Sequence, residues 1–92
     1  LGEESGDVVP DVQSIDERTY EMDGSLRVEE ANEQLNLEIP SGEYETVAGF
    51  LLHRFRRIPN QGDHLLHHRF RLVVTEMRGV KIEKVRVVRI LP

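Results

Sequence analysis

Four histidines (His53, His64, His67, His68) and five arginines (Arg54, Arg56, Arg57, Arg69, Arg71) crowd the second half of the chain. Imidazole is a common metal ligand, and a β-hairpin would bring His64 opposite His67 or His68. Neighbouring residues on a strand point to opposite faces, so His67 and His68 chelate together only across a bulge or turn. No HExxH run or Cys/His spacing accompanies them. A short His tract alone is a compositional hint. The simpler reading makes these histidines solvent-exposed loop residues, so no metal site is expected and His64, His67 and His68 stand only as weak candidates. The guanidinium groups offer planar forks for phosphate or carboxylate. Interleaved Phe55 and Phe70 imitate a nucleic-acid pattern, but their parity assigns them to a core. The arginines are therefore expected to pair with acidic residues of the first half, or to dock on an acidic partner surface.

Catalytic chemistry finds little purchase. Ser5, Ser14, Ser25 and Ser41 lie in linker, turn or cap contexts, and none sits in G-x-S-x-G. Glu29/Glu30 and Glu43/Glu45 suit helix starts and solvent. Thr46 satisfies a helical turn. Gly24, Gly42, Gly49, Gly62 and Gly79 are scattered, with no GxGxxG or GxxxxGK[ST] to cradle a phosphate. No catalytic residue and no cofactor is expected; FAD would rest on fold analogy alone.

The elements that would position these groups start from the charge balance. Residues 1–46 carry 14 acidic and 2 basic side chains, residues 47–92 carry 3 and 10, and the chain totals 92 residues at net −5. Two mutually paired faces, or a basic surface offered to a partner, would explain this split. The acidic total disfavours nucleic acid. Absence of cysteine removes disulfides and thiolate ligands. Apolar runs are too short to span or insert in a bilayer. The opening Leu1-Gly-Glu-Glu lacks signal-peptide character and an initiator Met, which suggests an excised fragment.

Residues 1–14 read as an acidic linker or arm, in which Val8, Val9 and Val12 could pin part of it to a neighbouring surface. Residues 15–92 form the domain. A strand is expected at Arg18–Met22, then a turn at Asp23-Gly24 using glycine's positive φ and an aspartate bonded to its own backbone. Val28, Ala31 and Leu35 mark a short helix with Asn36 as left-handed C-cap. Leu37 and Ile39 continue the core. A longer helix runs from Ser41-Gly42 to Arg57, with Val47, Phe50, Leu51, Phe55 and Ile58 as its apolar stripe and Pro59 as its end. Gly49 within it implies close packing of another backbone. Leu65 and Leu66, then Phe70, Leu72 and Val74, start strands; Arg78-Gly79 turns. In the last strand Ile82 and Val85 differ in parity, which a β-bulge near Glu83-Lys84 repairs. The class is α+β: two short helices on a small, mainly antiparallel sheet ending in a β-meander.

Asp23-Gly24-Ser25-Leu26, Asn32 to Leu37, Thr46-Val47-Ala48-Gly49, Ile58-Pro59, Gly62-Asp63 and Ile82-Glu83-Lys84-Val85 together resemble the CorC/HlyC transporter-associated domain. The likeness covers residues 15–90. It singles out Asp23, Gly24, Thr46, Gly49, Pro59, Gly62 and Asp63 as structural motif positions. Two departures stand out: Asn36 where the family often has Gly, and His67-His68-Arg69 where it often turns through Gly. The resemblance implies a fold like part of certain FAD-binding domains. It implies a C-terminal module on the cytoplasmic face of the cell membrane, following transmembrane and CBS domains. Such proteins are associated with magnesium and cobalt efflux or hemolysin-like transport, which the module would regulate through domain contacts. A ligand-binding role, for FAD, another adenine nucleotide or a divalent ion, is the alternative. A homodimer is expected because a small sheet with an open edge invites pairing.

Overall fold

The alternation of Phe70, Leu72 and Val74 becomes the inner face of a long strand near the middle of one antiparallel sheet. In the computed structural model, which describes residues 12–92, the elements are β1 (Val12–Ser14), β2 (Thr19–Asp23), α1 (Val28–Leu35), α2 (Val47–Phe55), β3 (His64–His67), β4 (Phe70–Arg78) and β5 (Lys81–Arg89). The strand order is β1-β2-β5-β4-β3, with every pairing antiparallel. The second strand, β2, thus lies beside the last, β5. Met22, Phe70, Leu72, Val74, Ile82, Val85 and Val87 bury their side chains with Ala31, Leu37, Ile39, Val47, Phe50 and Leu51 from the helical layer. The α+β expectation holds. No helix among the described residues is long and apolar enough to cross a membrane.

Several boundaries differ from the sequence reading. Val12–Ser14 is an edge strand paired with β2, not the end of an arm, because Val12 half-buries against the core. Val8 and Val9 lie outside the described residues. β2 starts and ends one residue later than expected. α2 begins at Val47 rather than Ser41. Residues before it are committed elsewhere: Val28 N–H donates to the Glu45 carbonyl at 2.9 Å, and Arg27 bridges Thr46 as an extended pair. Thr46 then caps the helix, its Oγ1 accepting from Gly49 N–H at 3.1 Å. The helix stops at Phe55 because Arg56 turns left-handed at φ 61°. Ile58 therefore leaves the stripe and is 53% exposed, while Pro59 is buried. Asn36 closes α1 at φ 58°, as expected.

The parity slip resolves as two compensating bulges. Val74 pairs with Val85, Glu76 with Lys84 and Met77 with Ile82. Thr75 is the extra residue on β4 and Glu83 the extra residue on β5, so Ile82 and Val85 both face inward. The final turn is Gly79-Val80, one residue past the expected Arg78-Gly79.

Candidate functional site

Gly24 is the meeting point of three motif pieces. Its N–H donates to the Glu83 carbonyl and its own carbonyl accepts from Ala48 N–H, both at 2.9 Å. A Cβ there would run into the Ile82 carbonyl oxygen and press on Ala48 Cβ at 3.1 Å. DGS, TVAG and IEKV are thus one junction of β2, α2 and β5. Gly24 is needed for close approach; its backbone lies outside the positive-φ region where the sequence reading placed it. The Asp23 carboxylate likewise reaches across to Lys84 Nζ at 3.0 Å instead of its own backbone, and this bond raises the Lys84 pKa above its ordinary value. Gly49 makes room for the Tyr44 side chain, whose Cβ would stand 2.9 Å from an added methyl, so a side chain and not a second backbone explains it.

Pro59, Gly62 and Asp63 shape the loop into β3. Asp63 Oδ2 accepts from Asn60 N–H at 2.8 Å and Arg57 Nη1 at 2.9 Å. The Asn60 N–H first and the Arg57 guanidinium second hold its carboxyl below the ordinary range. Gly62, at φ 98°, donates to the Val74 carbonyl at 2.7 Å. This Arg57 contact keeps its charge within the second half of the chain.

The expected arginine patch is not one surface. Arg54 lies on the helical side, Arg56 is a helix C-cap, and Arg69 sits in the β3–β4 turn. Arg71 is exposed on β4 and alternates with inward Phe70 and Leu72, so it occupies the face turned away from the helices. Its pairing partners there are Leu66 and Val88. First-half acids instead pair with other cations: Glu21 with Arg86 at 3.7 Å and Asp23 with Lys84.

The histidines also separate. His64 is exposed at the start of β3. His67 is buried, contrary to the loop reading, because its parity matches Leu65 and the inner face. Its ring meets Phe50 edge-on, with centroids 5.0 Å apart. Nε2 lies 3.2 Å from the Glu38 carbonyl, and Nδ1 lies 3.4 Å from Arg54 Nη1. Arginine can only donate, so Nδ1 is the acceptor and Nε2 carries the proton. His68 occupies the hairpin turn at φ 56°, and its ring stacks edgewise on His67 at 4.4 Å. Its Nε2 approaches Glu38 Oε1 at 3.9 Å. Among the described residues no group of three or more His, Cys, Asp or Glu side chains could hold a metal.

Burial first, and the neighbouring cations after it, push the His67 imidazole below its ordinary value, outweighing the Glu38 carbonyl that pulls it up. The unfolded chain, with a pKa of about 6.5, then binds protons more readily than the folded one. Stability from this residue is full above that value and falls as the solution is acidified through the lower folded pKa. Urea midpoints measured on both sides of about pH 6.5 should show this slope, and His67→Gln should flatten it.

The sequence pattern alone assigns no side-chain role to Glu38, Asn32 or Tyr44. Glu38 is left-handed at φ 61°, which aims its carbonyl at His67. Asn32 clasps Ile39 twice, Nδ2 to the carbonyl and Oδ1 from the N–H, each at 2.9 Å. An amide inside an otherwise helical run was the available signal. Asn32→Ala should cost about 2 kcal/mol in chemical denaturation, since both Ile39 groups lose their partner. Tyr44 donates to the Pro40 carbonyl at 2.6 Å. With Asn32, Glu29, Glu45 and Pro40 it lines a cleft of about 260 Å³. Arg27 already neutralises this cleft's rim, lying 3.4 Å from Glu29 and 3.7 Å from Glu45.

The pattern of the transporter associated domain family, CorC/HlyC, matches residues 13–90. The polyamine export protein of Haemophilus influenzae is 30% identical over 78 residues, 83% of this chain and 18% of that protein. The chain spans about 18% of the length of the first curated relatives it matches. Among solved structures, a CorC/HlyC transporter associated domain of a Xylella fastidiosa hemolysin superposes with a TM-score of 0.79 at 25% identity, covering 91% of this chain and 100% of that one. The same domain solved in complex with Mg²⁺ and Mn²⁺ gives 0.77 at 26% identity, covering 87% and 98%.

Proposed function

The chain belongs to the CorC/HlyC transporter associated family, and from that premise we propose that it is a non-catalytic regulatory module of a membrane cation transporter. It would lie on the cytoplasmic face, after transmembrane and CBS domains, and act on transport through domain contacts. One observation carries the reading: the structural motif positions build shape, and none of them lines the cleft beside Tyr44. Gly24, Thr46 and Gly49 join strand to helix, and Pro59, Gly62 and Asp63 set one loop. Residues selected this way serve a rigid body that presents surfaces. The cargo class, magnesium, cobalt or a polyamine, follows the relatives and the resemblance.

Deleting residues 12–92 from a longer protein that carries them, and measuring efflux of Mg²⁺, Co²⁺ and polyamine, tests this. The expected result is altered transport rate with membrane assembly retained; unchanged transport overturns it. The Mg²⁺ and Mn²⁺ complex of the Xylella domain favours a second reading, a divalent-ion site. Calorimetry of this domain with Mg²⁺, Mn²⁺ and FAD separates the two, since binding heat supports the ligand reading and none removes it.

A further inference from the structure

We propose that the β3 edge is a pairing site for the same edge of a second copy, kept closed by Arg54, which neutral His67 helps to hold. This is independent of the transport reading. His67 and Phe70 close a two-residue turn, so they form a hydrogen-bonded pair, and alternate residues toward β4 follow suit. The bond from Val74 N–H to the Asp63 carbonyl at 2.8 Å continues that alternation. His64 and Leu66 therefore turn their N–H and C=O groups outward from the sheet. Among the described residues, one hydrogen bond covers these outward groups: Arg54 Nη2 donates to the Leu66 carbonyl at 3.1 Å.

A second β3, running antiparallel, sets Leu65 opposite its own counterpart and Leu66 opposite the counterpart of His64. Each Leu66 carbonyl then accepts from a His64 N–H of the other copy, which makes up half of the new ladder. Arg54 occupies that acceptor and stands its guanidinium across the edge. The strand itself holds no proline or lysine, and Leu66 is 54% exposed.

His67 sets the strength of the guard. Its Nδ1 faces Arg54 as an acceptor at 3.4 Å. Protonation puts a hydrogen on that nitrogen and a positive charge beside the guanidinium, so contact becomes repulsion. The other charged or titratable groups facing the ring are His68 from the turn and Glu38 from the α1–α2 connection, which pair with each other at 3.9 Å. Acid therefore loosens Arg54 and exposes the Leu66 carbonyl.

Analytical ultracentrifugation of the whole chain tests the proposal. At about pH 7.5, Arg54→Ala should self-associate about tenfold more tightly than the wild type, the effect of freeing two hydrogen bonds. Adding Leu66→Pro, which deletes an outward N–H, should return association to the wild-type level. Because the chain has no cysteine, Leu65→Cys reports register directly and should cross-link faster with Arg54→Ala than with Arg54 present. Wild-type association should strengthen as the pH is lowered stepwise from about 7.5 past the ordinary His value of about 6.5 and through the lower His67 range, and Arg54→Ala should show no such change. Equal association of folded wild type and Arg54→Ala overturns the proposal, as does association that survives Leu66→Pro. Tight association of Arg54→Ala without a pH response in the wild type overturns the role of His67 alone. If circular dichroism shows Arg54→Ala unfolded, Arg54→Gln supplies the same comparison.

Discussion

Gly24→Ala is expected to destabilise the domain by about 3 kcal/mol, the upper end for one added carbon in a packed site. The obstacle is the Ile82 carbonyl oxygen, which belongs to backbone and cannot rotate away. Gly24 cannot retreat either. Its N–H is tied to Glu83 and its carbonyl to Ala48, so any shift breaks a bond to β5 or to the first turn of α2. Gly79→Ala provides the contrast. Gly79 has φ 60° with open space around it, so the cost is a left-handed backbone alone, about 1 kcal/mol. Urea unfolding of both variants, followed by circular dichroism, checks the ratio. Similar costs at both positions would mean that Gly24 was chosen for backbone freedom after all.

Phe50→Ala should cost about 4 kcal/mol, by lost transfer energy plus the cavity left behind. Phe50 is 2% exposed at the centre of the helical layer. Its ring also supports polar neighbours: Tyr44 lies edge-on at 5.4 Å, His67 at 5.0 Å, and the Arg54 guanidinium sits 5.7 Å above it. Removing it therefore admits water to the His67 side of the core. The stability loss should be accompanied by a smaller pH slope in the range where His67 titrates, because a hydrated imidazole moves back toward its ordinary pKa. Denaturation curves at several pH values measure both. A stability loss with an unaltered slope would separate His67 from Phe50.

Much of the fold was legible from alternation. Phe70, Leu72, Val74, the bulge before Val85 and the Asn36 cap follow from local rules that burial then obeys. The start of α2 was not legible, because the apolar stripe from Val47 says nothing of residues 41–46. The course of Glu45 and Thr46 depends on Val28 and Arg27, distant in sequence. The placement of the arginines was not legible for a related reason. Arg54, Arg57 and Arg71 are neighbours in a composition count, but strand parity and a helix end send them to an edge, a loop and the opposite sheet face. His67 was misread because a three-residue run at a turn hides which member shares the parity of Leu65.

Pairing β2 with β5 means that Thr19 meets Val88 and Asp23 meets Lys84. A ribosome must release nearly the whole domain before its first long strand finds a neighbour on the inner side of the sheet. Until then the β1–β2 pair that carries Met22 and the β3–β4 hairpin that covers Phe50 are separate pieces with no shared sheet. Folding of this module is consequently a late event in its own synthesis, limited by closure of a long chain segment more than by formation of either helix. Chains halted before Val85 would hold two separate strand pairs, β1 with β2 and β3 with β4, and lack the strand that joins them into one sheet.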